Sequence, residues 1–150
     1  MISSPPSLII RAVLASGDSG DIFTLPSAEE DWPLYVSSMP DGDAVADDCG
    51  CVYDTSPVSD GREMKDGAVL EHYGIQLRVR SSTYNDGYTQ IASAMEILES
   101  LNQVSVSIGT TVFTLHCCSI FGGITPIGAE PGTTKRRDEF TLNFRVSISQ

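Results

Sequence analysis

Long hydrophobic runs are missing from this 150-residue chain: no stretch approaches the roughly 18 apolar residues that cross a bilayer, so a membrane-spanning helix is not expected. The N-terminus has neither a basic n-region nor a sufficient apolar core for a secretory signal, and the expectation is a protein made and kept in a cytosol. Basic residues are scarce, with 9 Lys and Arg against 20 Asp and Glu and a net charge of -11. The deficit is uneven. Residues 1–61 hold 11 acids against Arg11 alone, and residues 62–150 hold 9 acids against 8 bases. Such a surface does not grip nucleic acid by neutralising phosphates. Acidic loops that keep the protein soluble are the plain reading of it, and a channel through which DNA must slide without sticking would also want such a surface.

Chemical signatures are equally thin. There is no glycine-rich phosphate loop, nucleophile elbow or paired-acid signature. Gly17-Asp18-Ser19-Gly20 spells the tetrad around a chymotrypsin-like serine, but His72 and His116 follow it where such enzymes place histidine before it. Asp41, Asp43, Asp47 and Asp48 lack the spacing, glycine and closing glutamate of an EF-hand. The cysteines come as Cys49-Gly50-Cys51 and Cys117-Cys118. Four thiolates suit zinc in number, yet neither pair has the gap of a zinc knuckle. Free thiols are expected, with no cofactor, no metal and no catalytic residue.

What is present is periodicity. From His72 to Arg80, Tyr73, Ile75, Leu77 and Val79 alternate with Gly74, Gln76, Arg78 and Arg80, a strand buried on one face. From Tyr88 the spacing becomes helical, with Ile91, Ala94, Leu98 and Leu101 in one stripe and Asn102 as the stop. Phe140 to Ile148 alternates without a fault. Ser4-Pro5-Pro6 opens a helix carrying Leu8, Ile9, Ile10, Ala12, Val13 and Leu14, closed by Gly17. That apolar set is too broad for a lone surface helix, so it should lie between the sheet and something else, such as a neighbouring subunit. Trp32–Val36 and Ala44–Tyr53 read as strands, as do the alternating Val104, Val106 and Ile108 before a Gly109-Thr110 turn, and Thr111–Ile120. The expectation is one α+β domain over 1–150, a mostly antiparallel sheet with two helices packed on one face. Long loops fall near 16–31 and 54–67, and an extended arm or hairpin near 121–137.

The ordered pattern of GIQLRVRSSTYNDGYTQIASAMEILESL (Gly74 to Leu101) and TPIGAEPGTTKRRDEFTLNFRVSI (Thr125 to Ile148) resembles the minor capsid and tail-terminator (tail-completion) proteins of long-tailed bacteriophages. Ile75 to Leu101 and Pro126 to Val146 carry the resemblance, and residues 18–66 carry little. It implies a virion structural protein without catalytic residues, located in the neck at the head-proximal end of the tail. It also implies a homo-hexameric ring that caps the tail tube, stops its polymerisation and meets the major tail tube protein and the head connector, with DNA passing through the lumen. Host cytoplasm is the place of assembly, and no membrane is involved. The interface candidates are Lys135, Arg136 and Arg137, facing the acidic half of an adjacent copy, with Arg78 and Arg80 on the outward strand face and Met64 in a loop. The alternatives are a head-completion or stopper protein, a small thiol- or metal-dependent enzyme using Cys49, Cys51, Cys117 and Cys118, and a small-molecule binding domain.

Overall fold

The computed structural model describes residues 2–15, 22–26, 31–42, 44–62, 69–129 and 135–150. The two stretches of clean alternation become its central strands, β4 (Val69–Ser81) and β7 (Asp138–Ser149). They pair antiparallel from His72↔Ser147 to Ser81↔Asp138. Ile75, Leu77 and Val79 stand opposite Phe144, Leu142 and Phe140, and all six are buried. A period of two puts every second side chain on one face, so two matched strands build a core between them.

The remaining strands extend this pair in both directions. β1 (Leu34–Val36) runs parallel to β2 (Cys49–Asp54), which pairs antiparallel with β4. On the other side β6 (Thr111–Ala129) pairs with β7, and β5 (Asn102–Ile108) with β6, both antiparallel. The order is β1-β2-β4-β7-β6-β5, with β3 (Val58–Arg62) also on β4. The link from β2 to β3 crosses directly over Gly74, where a Cβ would meet Thr55 Oγ1 and lie 2.6 Å from the Ser56 carbonyl oxygen. The backbone carbonyl cannot step aside cheaply. Gly74→Ala should therefore cost about 2 kcal/mol of stability, the range for overpacking; a urea midpoint unchanged from wild type would refute the close crossing.

Helix α2 (Tyr84–Glu99) buries Ile91, Ala94 and Leu98, the expected stripe, but begins four residues before Tyr88. Its start is held by Asp48, which accepts hydrogen bonds from Ser81 Oγ and Ser82 N–H at 2.8 Å each. Helix α1 (Pro6–Leu14) takes Pro5 as its N-cap residue, and no side chain caps it from the preceding turn. Asp54, from β2, supplies the missing acceptor: Ser7 N–H donates to Oδ1 at 2.8 Å and Ser7 Oγ–H to Oδ2 at 2.6 Å. A carboxylate at the positive end of a helix is favourable, and this one also ties helix to sheet.

The expected α+β class, an antiparallel sheet with two helices packed on one face, does not hold. Strands make up 51% of the chain and helix 20%, and the sheet is mixed and curls into a half-barrel. One segment read as loop is partly strand, since part of 54–67 is β3, and the extended arm or hairpin expected near 121–137 begins as a continuation of β6 against β7, as far as Ala129↔Asp138. Gly122 and Gly123 at φ 71 and 73 make the bulge between Phe121 and Thr125 that bends this pairing. The curl shows in the contacts of α1. It touches β1 and β2 near one edge of the sheet and β5 at the other. Gly17, Ser19 and Met64 lie outside the described residues.

Candidate functional site

The basic corner before β7 is neutralised within its own subunit. Arg137 is 2% exposed and uses its whole fork. Nε–H donates to Asp47 Oδ1 at 2.9 Å, Nη1–H to Asp41 Oδ1 at 3.1 Å and Nη2–H to the Gly42 carbonyl at 3.2 Å. Lys135 Nζ lies 3.6 Å from Asp47 Oδ2, and Arg136 pairs with Asp138 at 3.0 Å. Burial alone would raise the Asp47 carboxyl, but the Arg137 hydrogen bond and the Lys135 and Arg137 charges hold it below its ordinary 3.8. Arg80 stands on the outward strand face as the alternation requires, yet it is 2% exposed, because the 41–48 loop folds over it. Its Nη2–H donates to the Ala46 carbonyl at 3.2 Å. The acidic complement expected on a neighbouring copy is thus largely the chain's own loop. Arg80 and Arg137 act as staples within the subunit, while Lys135 and Arg136 keep exposed side chains.

Arg78 remains on the outward face. Its guanidinium lies 5.4 Å from the centre of the Tyr53 ring, and its Nε–H donates to Gln76 Oε1 at 3.0 Å. Gln76 in turn donates to Asn143 Oδ1 at 3.0 Å. On the same face, Arg145 sits 4.6 Å over the Phe121 ring. Neither arginine pairs with an acid among the described residues. This is a firm, polar, weakly basic sheet face on a strongly acidic protein.

The histidines and thiols do not converge. His72 Nδ1 is 3.0 Å from Ser147 Oγ, and His116 Nε2 is 2.7 Å from Ser149 Oγ. Cys49 and Cys51 are on β2 and Cys117 and Cys118 on β6, with β4 and β7 between them. Adjacent strands lie about 4.8 Å apart, so the two pairs cannot share one metal ion. Among the described residues no group of three His, Cys, Asp or Glu is placed to hold one. Burial pushes the Cys49 thiol up to about 11 and the Cys118 thiol to about 12, and raises Cys51 as well. All three are poor nucleophiles at neutral pH. Among the described residues no helix is long and apolar enough to cross a membrane.

The sheet's outer edge is the most unusual surface. From Asn102 to Ala129, through the whole of β5 and β6, there is no Asp, Glu, Lys or Arg. β5 pairs with β6 only as far as Cys117, so among the described residues the outer edge of β6 is open from 118 to 129. Phe121 and Ile127 on that stretch are 45% and 51% exposed. Beside β5 runs a groove of about 580 Å³, walled by Leu8, Ala12 and Val13 of α1 and by Val104, Val106 and Ile108. The broad apolar set of the first helix is explained by this division. Ile9, Ile10 and Leu14 are buried, while Leu8, Ala12 and Val13 line the groove. The signal for this edge is plain in the sequence, as a gap in the charges, and a search for motifs passes over it. No family model and no curated protein matches the chain.

Proposed function

We propose that this chain is a ring-forming tail terminator of a long-tailed bacteriophage, which caps the tail tube, ends its polymerisation and joins the tail to the head connector. The observation that carries the reading is the open edge of the sheet. Proteins that stay monomeric blunt such edges with charge, especially lysine, or cover them. Here twenty-eight consecutive positions, 102 through 129, carry none. An edge of this kind suits a subunit whose working state covers it. The reading is further supported by the sequence pattern from Ile75 to Leu101 and from Pro126 to Val146, and by histidines and buried thiols that are held in structural contacts. A head-to-tail interface closes into a ring when each contact rotates by the same fraction of a turn, and acidic segments turned to the lumen would let DNA pass without adhesion.

The deciding experiment is to remove the protein from an infection and image the particles. A terminator leaves heads without joined tails and tubes that run past their normal length. Free tails of normal length beside unjoined heads would point instead to a head-completion or stopper protein, and normal virions would reject both.

A further inference from the structure

The partner of the open edge can be named from charge. We infer that the β5 strand, with the groove between it and α1, is the seat of a second copy of this same chain, and that this self-contact is apolar and strand-to-strand in character. The inference deepens the assembly reading and rests on it for the ring in which the contact would repeat.

Two copies each carrying -11 repel wherever their acidic surfaces approach. The edge hairpin is where they can meet without that cost, since β5 and β6 hold no charged side chain. A basic partner would be drawn to the acidic surface and would have no reason to prefer this edge. The groove is suited to the same occupant. Its walls are chiefly aliphatic with serines between, and its one charged member is Arg11. Exposed Val112, Phe121 and Ile127 lie on the same hairpin, so each copy carries both an apolar recess and apolar projections. Separate recess and projection are what a head-to-tail contact needs. Strand addition at β5 would satisfy its outward backbone groups, and aliphatic side chains entering the groove would supply the gain from burial.

The inference makes a signed prediction about salt. An ion-paired contact between a basic corner and an acidic loop weakens as salt rises, because screening removes the attraction. An apolar contact between like-charged bodies tightens, because screening removes the repulsion. The native mass of the full chain, followed by sedimentation from roughly 0.05 to 0.5 M NaCl, spans Debye lengths that cover this difference. The expected result is an assembly that tightens with salt. Ser105→Lys with Ser107→Lys places two ammonium groups on exposed positions of β5 and should shift the assembly to monomer by at least about tenfold in concentration. Ala12→Glu, in the α1 wall of the groove, should do the same and guards against a folding defect in the first variant, with circular dichroism checking both.

An assembly that dissolves as salt rises, a folded Ser105→Lys/Ser107→Lys protein that assembles like wild type, or a wild-type chain that stays monomeric at about 100 μM would each overturn the inference. The tail-terminator reading is judged separately. If the lysine variant still assembles and its virions have normal tails, the contact has been misplaced and the reading stands. If the variant falls to monomers but removing the protein leaves virions unchanged, the contact is right and the reading fails.

Discussion

Phe140→Ala should lower the unfolding free energy by about 4 kcal/mol, the range for deleting a fully buried ring. Phe140 is 0% exposed, and three parts of the fold converge on it. It stands opposite Val79 on β4, and Tyr84 and Tyr88 of α2 meet its ring edge-on at centroid distances of 5.0 and 6.1 Å. Gly87, between those tyrosines, lies so close that a Cβ there would be 2.7 Å from the ring. The first turns of α2 are thus moulded around this one side chain, and removing it unseats the helix as well as opening a cavity. Phe140→Leu should recover more than half of the loss. Urea unfolding at fixed protein concentration measures both; a loss under about 1 kcal/mol for alanine would show that the ring is not the seat of α2.

The second large effect is at Arg137. Truncation to alanine takes from Asp41, Gly42 and Asp47 their shared partner and should cost about 3 kcal/mol, the lower end for breaking a buried ion pair. The lower end applies because Asp47 and Asp41 retain 25% and 70% of their side-chain exposure and can take up water. Arg137→Lys keeps the charge but cannot reach Asp47, Asp41 and Gly42 together, so it should fall between wild type and alanine. Acid gives an independent check. The folded-state pKa of Asp47 lies below its ordinary 3.8. Its contribution is therefore complete above about pH 4 and is lost as pH falls through the depressed folded value. Wild type should lose stability in that acid range faster than Arg137→Ala, so that the two curves converge. Parallel curves would show that Arg137 does not set the titration of Asp47.

Those residues also mark where the sequence stops being informative. The alternation of β4 and β7 and the stripe of α2 are legible because each is written within ten or so consecutive positions. The burial of Arg80 is not, since a period of two assigns a face and says nothing of what folds over it. The Arg137–Asp41 pairing spans 96 positions and has no local trace. β3 is hidden by its composition, Val58-Ser59-Asp60-Gly61-Arg62, which reads as loop and becomes strand because β4 offers it a partner. The distal half of β6 is hidden by Gly122, Gly123, Pro126 and Gly128. These residues usually end strands, and here they bend one that continues. With β3 taken for loop and the distal part of β6 for a separate arm or hairpin, neither was joined to the central sheet. The parallel pairing of β1 with β2 follows from the course of the intervening 37–48 segment and is not written in either strand.

Helix α1 has a kinetic consequence. It is made near the start of the chain, yet it touches β5, some ninety residues later. Contacts so far apart in sequence carry the entropy of closing a long loop and form slowly. During synthesis the helix has no β5 to dock on until most of the polypeptide has emerged. Its packing on β1 and β2 can form early, whereas the wall it shares with β5 is completed only late in folding.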